Sequence, residues 1–147
     1  MFVEQILDSA RERLVVIDAG ATVRQAAELM SRPHVALIVV RGPQGGMVGV
    51  VTKTDLVAQM GRCGGAACMA RVDTIMTRDV ISCRGNDRLL DVWSVIERRG
   101  LLRMPVLDSE GMPIGILYAR DALPNLLTEA EDEEKMLRDY VMNVGYQ

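Results

Sequence analysis

Apolar residues recur with helical spacing twice along the chain, at an offset of 66 residues. The first set takes positions i, i+3, i+4 and i+7 and comprises Val23, Ala26, Ala27 and Met30. The second set repeats that spacing and comprises Leu89, Val92, Trp93 and Ile96. Each set forms an apolar stripe on one face of a helix. Thr22 and Gln25 have the spacing of a capping box, which predicts that the first helix begins there.

Short apolar runs surround each of these helices and predict strands. The runs at 35–40 and 101–107 are rich in β-branched residues, and each leads through a turn into another run, 47–51 or 114–117. The turns, 41–46 and 108–111, contain the glycine, proline and aspartate typical of hairpins. Further short strands are predicted at 14–17 and 80–83. A second helix should follow each hairpin, from near Thr52 and near Ala119, with Pro124 ending the latter.

The chain is thus predicted to contain two β-α-β-β-α copies in an α+β fold. One copy of about 50 residues buries too little surface to be stable alone, so the copies should pack sheet against sheet as a pseudo-twofold pair. The predicted units are an N-terminal helix 1–12, copies at 13–60 and 71–125, a linker 61–70 and a C-terminal helix 126–147. Thr128 and Glu131 should cap that last helix. Its apolar stripe comprises Met136, Leu137, Tyr140, Val141 and Val144.

Charge and composition exclude several functional classes. The net charge is −3 and only 3% of the 147 residues are aromatic, which argues against nucleic acid as a partner. No apolar run approaches the roughly 20 residues that span a membrane, and the first residues do not resemble a signal peptide. We therefore expect a cytoplasmic protein without a membrane partner, whose three cysteines stay reduced.

Metal binding and catalysis have little support in the sequence. Cys63, Cys68, Cys83 and His34 could in number form a zinc site, but the Cys-x4-Cys spacing lacks the usual knuckle. A redox-responsive Cys63–Cys68 pair is the alternative, with reduced thiols as the default. The single histidine has no nucleophile motif beside it, and no Walker loop or Gly-x-Gly-x-x-Gly segment is present. We predict neither a metal site, nor a cofactor, nor an enzyme.

Four short segments give the chain a resemblance to a known family. These are Gly49-Val-Val-Thr-Lys-Thr-Asp55, Gly115-Ile-Leu-Tyr-Ala-Arg-Asp121, Met76-Thr-Arg-Asp-Val80 and Met104-Pro-Val-Leu-Asp108. Together with the repeat, they resemble CBS domains, whose tandem pairs form a Bateman module. The resemblance covers about residues 13–125.

The resemblance implies an adenosine-binding cleft between the copies. Gly49, Thr52 and Asp55 would belong to one site, and Asp121 to the other. An aspartate at a helix start can accept hydrogen bonds from ribose hydroxyls, and free backbone N–H groups there favour phosphate. The alternative is that Thr52 and Asp55 merely cap their helix. Tyr118 replaces the family's threonine or serine, and could stack on a base, fill the pocket or simply pack.

Further candidate ligand residues follow from the same resemblance. Arg103, two residues before Pro105, and Arg120 would face phosphate, with solvated surface arginine as the alternative for Arg103. The first copy has Leu37 in place of Arg103. The apolar wall for an adenine would comprise Val35, Ala36, Leu102 and Met104, and Ser82 and Pro105 complete the candidate set.

Two functions are compatible with these residues. The first is a regulatory sensor that binds AMP, ADP, ATP or S-adenosylmethionine between the copies and acts on an unidentified protein. The second is an interaction module that binds no nucleotide, has Tyr118 in its cleft, and uses the apolar faces of residues 2–10 and of the C-terminal helix. CBS modules commonly dimerise, so the resemblance also implies a homodimer.

Overall fold

A computed structural model describes residues 1–62 and 69–145. In this part of the chain, two three-stranded sheets and five α-helices alternate as the repeat predicts. The strands are β1 Val16–Asp18, β2 Leu37–Arg41, β3 Met47–Thr52, β4 Cys83–Arg84, β5 Arg103–Leu107 and β6 Pro113–Tyr118. The α-helices are α1 Leu7–Glu12, α2 Val23–Met30, α3 Lys53–Arg62, α4 Leu89–Arg99 and α5 Ala119–Gly145. Short 3-10 helices occupy Val3–Ile6 and Val72–Thr74.

The two sheets have the same topology. In each, the first strand is parallel to the second, and the second pairs antiparallel with the third. Both hairpins have a register shift one residue before the turn. Gly45 and Gly111 occupy equivalent turn positions with φ of 88° and 82°, a left-handed conformation that glycine adopts without strain. The α+β fold with two equivalent copies is therefore confirmed.

Alternation along the strands divides the buried residues into three layers. One face of the first sheet packs under α2 and α3, and the corresponding face of the second packs under α4 and the start of α5. The opposite faces meet each other through Leu37, Val39, Val50, Ile116 and Tyr118. Successive strand residues point to opposite faces, so one pattern supplies both the helix-facing and the sheet-facing cores.

The segments that precede the copies cross over. Residues 3–10, the first leading segment, bury Val3, Ile6 and Ala10 in the core of the second copy. Residues 69–77, the second leading segment, bury Val72 in the core of the first copy. The N-terminal apolar face is therefore not available for a partner, and that part of the interaction-module hypothesis is wrong.

Two equivalent glycines let the leading segments approach the sheets. A Cβ on Gly115 would lie 2.9 Å from the carbonyl carbon and the Cβ of Ala10. A Cβ on Gly49 would lie 2.7 Å from Met76 Sδ and from the Thr77 carbonyl oxygen. The Gly49 Cα thus faces the second leading segment, and packing explains the glycine in each of the two family-like segments.

The C-terminal part of the chain differs from the prediction. Pro124 does not end a helix, and no new helix begins at 126 or is capped by Thr128, because α5 runs unbroken from Ala119 to Gly145. The Thr128 hydroxyl instead donates to the Pro124 carbonyl oxygen at 3.0 Å. Ala122 and Leu126 pack into the second core on either side of the proline, and this tertiary contact keeps the backbone helical where local propensity would end it.

The remaining elements lie close to their predicted bounds. Thr22 and Gln25 form the predicted capping box, with the Gln25 N–H 3.2 Å from Thr22 Oγ1 and the Thr22 N–H 2.9 Å from Gln25 Oε1. The first strand of each copy is shifted towards the C-terminus, to Val16–Asp18 and Cys83–Arg84. Their register is set by pairing with the central strand rather than by their own apolar pattern.

Gly115→Ala is expected to lower the free energy of unfolding by about 1–3 kcal/mol, because its Cβ would meet the backbone of α1. Gly61→Ala is the matched control, since nothing lies within 4 Å of its added Cβ and it sits in α3. That change should be neutral or stabilise by up to about 1 kcal/mol. Urea unfolding measures both. Equal stability of the Gly115 variant and wild type would contradict the crossed packing.

Candidate functional site

Four predicted or equivalent positions lie on the faces where the sheets meet. Leu37 pairs with Thr52 across β2 and β3, and Arg103 pairs with Tyr118 across β5 and β6. Leu37 and Tyr118 belong to the core between the sheets, and cross-strand partners share a face. Thr52, Arg103 and Tyr118 therefore lie on the sheet faces that meet between the two copies.

Asp55 accepts several hydrogen bonds at the start of α3. Its Oδ2 receives the backbone N–H of Thr52 at 2.9 Å and the Thr52 hydroxyl at 3.1 Å. The Thr77 hydroxyl lies 3.2 Å from both carboxylate oxygens. Asp55 therefore joins its own helix to the second leading segment, and its capping role coexists with a half-buried position beside the cleft.

Asp121, the equivalent of Asp55, has a different partner. Arg13, which follows α1, places Nη2 3.0 Å from Asp121 Oδ2, and both side chains are 26% exposed. A partly exposed pair of this kind contributes on the order of 1 kcal/mol or less to stability. The two aspartates thus keep equivalent places in the fold but sit in different electrostatic surroundings.

Tyr118 lies at the centre of a cluster of arginines. The guanidinium carbons of Arg13, Arg103 and Arg120 lie 4.0, 5.3 and 5.0 Å from the centre of its ring. These distances are within the range of cation–π attraction, since the face of an aromatic ring is electron-rich. Tyr118 is only 7% exposed, so its ring packs and supports the arginines rather than standing open in the cleft. We name Arg13, Arg103, Tyr118, Arg120 and Asp121 the Tyr118 cluster.

Arg103 also carries an unsatisfied donor. Its Nε is buried and has no hydrogen-bond partner among the described residues. A buried donor without a partner costs free energy, and more when the group is charged. The Arg103 guanidinium therefore keeps one buried, unpaired donor beside Tyr118.

The other predicted ligand residues are more scattered. Val35 and Ala36 are half-buried just before β2, whereas Leu102 is 67% exposed just before β5. Pro105 is fully buried opposite Ile116 between the sheets. No described contact assembles these residues into one adenine-binding wall, which stays a prediction.

Ser82 and Met104 lie together in a separate pocket. The pocket has a volume of about 260 Å³ and is bordered also by Asp87, Arg88 and Asp91. Met104 packs in the core under α4, on the face of β5 opposite Arg103. Ser82 and Met104 therefore do not share a surface with the Tyr118 cluster.

Arg13 and Thr77 are contacts that the sequence did not reveal. Each lies in or next to a leading segment and reaches an aspartate through the crossed packing of these segments. In the sequence Arg13 stands at the predicted start of the first copy and Thr77 in the Met76–Val80 segment of the second, and neither position indicates the crossing. Cys63 and Cys68 lie outside the described residues.

Neither a metal-binding cluster nor a membrane-spanning helix is found among the described residues. Within 1–62 and 69–145, no group of three or more histidine, cysteine, aspartate or glutamate side chains could hold a metal ion. Across the same ranges, no helix combines the length and the apolar character needed to cross a membrane.

Comparison with known proteins matches both copies to one family. The model of the CBS domain matches residues 3–62 and 72–127. A solved structure of CBSX2 in complex with AMP superposes with a TM-score of 0.72 and 25% identity, covering 88% of this chain and 98% of that one. The CBS pair of protein MJ0100 was solved with 5′-methylthioadenosine and S-adenosyl-L-methionine. It superposes with a TM-score of 0.68 and 17% identity, covering 88% of this chain and 98% of that one. At that identity, the likeness shows the fold alone.

A curated relative is much longer than this chain. Homoserine O-acetyltransferase of Methanococcoides burtonii is 27% identical over 116 residues, which are 79% of this chain but 23% of the relative. The chain thus spans about a quarter of the length of that protein.

Cys83 provides a test of the core under α4. Burial, and secondarily the nearby Asp87 charge, raises the pKa of its thiol from 9.0 to about 12. As pH rises, the thiol ionises in the unfolded chain before it ionises in the folded protein. The thiol's contribution to the free energy of unfolding is therefore fully present below pH 9.0 and is lost as pH rises towards about 12. The test compares the Cys63→Ser/Cys68→Ser protein with the same protein that also carries Cys83→Ala, by urea unfolding at about pH 8 and about pH 10. Between these two pH values, the free energy of unfolding should decrease by about 1.4 kcal/mol more when Cys83 is present. Equal losses would contradict a buried thiol.

Proposed function

The chain belongs to the CBS domain family, and from this premise we propose that it is a regulatory module that binds an adenosine-containing ligand in the cleft between its copies. The observation that carries the proposal is the paired placement of Asp55 and Asp121. Both stand at the start of a helix that leaves the third strand of a sheet, and both are half-buried rather than sealed. Carboxylates so placed can accept hydrogen bonds from ribose hydroxyls.

The solved relatives support this ligand class. CBSX2, at 25% identity over nearly its whole length, was solved with AMP. An adenosine ligand that carries phosphate also suits the arginines around Tyr118, because guanidinium groups form strong charge-assisted hydrogen bonds with phosphate oxygens.

We propose regulation rather than catalysis as the role. The homoserine O-acetyltransferase relative matches only over a region that corresponds to the two copies, which is 23% of its length. A ligand between the copies changes a partner only through a difference in affinity between two arrangements of the module. The crossed leading segments would link the arrangement of one copy to that of the other, because each segment connects one copy to the core of the other.

One observation favours a module that binds no nucleotide. Tyr118 is 93% buried, and Asp55 and Asp121 each have internal partners, so the carboxylates that a ribose would take are already paired within the chain. Nucleotide absorbance of the purified protein is a simple discriminator. A ligand-free module would show a protein spectrum and no binding of any adenosine compound.

Asp121→Asn is expected to weaken ADP binding by roughly 10-fold or more, because an amide replaces one acceptor oxygen with a donor. Calorimetric titration measures the dissociation constant. Asp139→Asn is the control, since that side chain lies on the exposed part of α5. Absence of heat with AMP, ADP, ATP and S-adenosylmethionine in the wild type would overturn the proposed function.

We also propose that two copies of the chain associate through α5. Beyond residue 130, the helix extends away from the core with apolar side chains exposed. Leu127, Leu137 and Val141 are 55%, 65% and 65% exposed. With Ala130 they follow the 3–4 spacing of a coiled-coil seam, interrupted by Glu134. An exposed stripe of this kind loses its contact with water when it packs against a second helix.

The charge in the seam determines the orientation of the pair. In a parallel pair, equivalent seam positions face each other, so the two Glu134 carboxylates would meet. In an antiparallel pair, Glu134 would face Leu137 of the second copy instead. Glu134 already pairs with Arg138 at 2.8 Å, which partly neutralises it. We therefore propose an antiparallel pair.

Truncation after Ala130 tests the dimer without damaging the second copy. Leu126, in the second core, and Glu129, whose Oε1 lies 3.0 Å from the Met1 amino group, are both retained. Light scattering after gel filtration should give a monomer for this variant and for Leu137→Glu/Val141→Glu. Asp132→Ala, on the opposite face, should stay dimeric. A dimeric mass for the truncated protein would contradict association through α5.

A further inference from the structure

The two ends of the cleft differ in charge. The second end of the cleft holds the Tyr118 cluster, which comprises Arg13, Arg103, Tyr118, Arg120 and Asp121. The equivalent residues, 66 positions away, define the first end of the cleft and are Asp79, Leu37, Thr52, Thr54 and Asp55. The second end thus carries three cations and one carboxylate, whereas the first carries two carboxylates. Outside the aligned positions, Lys53 and Arg78 are exposed next to Thr52 and Asp79.

The cations of the second end are held in place rather than scattered. The Arg13, Arg103 and Arg120 guanidiniums lie within 5.3 Å of one ring centre. Only Asp121 pairs with any of them in the described structure, through Arg13 at 3.0 Å. Arg103 Nε is buried without a partner. Guanidinium groups held this close together create a positive potential that attracts an anion. Their partial burial limits the screening of that attraction by salt.

We infer that the second end of the cleft selects ligands by negative charge, so that it takes phosphorylated adenosine compounds and rejects sulfonium compounds such as S-adenosylmethionine. This inference rests on the proposed function and narrows its ligand class. We assign Arg13 as a specificity-determining residue in addition to Arg103 and Arg120. Arg13 pairs with Asp121 within the chain. A ribose that takes the Asp121 carboxylate releases the Arg13 guanidinium, which is then free to pair with phosphate.

The inference also restricts where the ligand binds. Asp55 and Asp79 give the first end the charge sign of the phosphate itself, and Leu37 offers it no donor side chain. A phosphorylated ligand is therefore attracted more strongly to the second end of the cleft than to the first. One bound ligand per chain follows.

Calorimetric titration with adenosine, AMP, ADP and S-adenosylmethionine tests the selection. Affinity should increase from adenosine to AMP to ADP, by roughly 10-fold over the series, with S-adenosylmethionine the weakest. Added salt should weaken ADP binding and leave adenosine binding nearly unchanged. Tighter binding of adenosine or S-adenosylmethionine than of ADP would overturn the inference while leaving the proposed function intact. Absence of binding by all four would overturn both.

Arg13→Gln tests the assigned residue. The variant should lose roughly 10-fold in affinity for ADP but not for adenosine, so the ratio of the two affinities decreases. This ratio separates a phosphate contact from a general loss of structure, which would weaken both ligands alike. Arg103→Gln should decrease the ratio in the same way, and Arg24→Gln, exposed on α2, should not. An unchanged ratio in both cluster variants would refute the role of these arginines.

Discussion

The contact between the two sheets is the interaction on which the rest of the structure depends. Among the described residues, each three-stranded sheet packs one face against helices and its other face against the second sheet. A single copy would expose the apolar face that contains Leu37 and Val39, or that of Ile116 and Tyr118, to water. The copies must therefore fold together, and the cleft at the ends of their shared faces is a direct consequence of that packing.

The leading segments give the two equivalent aspartates, Asp55 and Asp121, different surroundings. Their crossing brings Thr77 to Asp55 and Arg13 to Asp121, so two equivalent aspartates receive a hydroxyl in one copy and a guanidinium in the other. The repeat preserves backbone geometry, as Gly49 and Gly115 show, because close packing tolerates no side chain there. It does not preserve charge, because Asp55 and Asp121 are only half-buried and the side chains around them can differ.

Most of the fold could be predicted from the sequence, since the repeat, the strand alternation and the Thr22 capping box are local patterns that act where they stand. Pro124 was misleading because local propensity was outweighed by the packing of Ala122 and Leu126. At the site, Asp55 and Asp121 could be found from their segments. Arg13 could not, because its position depends on a crossing between distant parts of the chain that no short motif encodes.

The central claim is that a phosphorylated adenosine ligand binds at the second end of the cleft alone. A crystal structure of the protein grown with ADP tests it most directly. We expect density for one ligand, with ribose beside Asp121 and phosphate beside Arg13, Arg103 and Arg120. Density for ADP beside Asp55, with the Arg13–Asp121 pair intact and the second end empty, would contradict it.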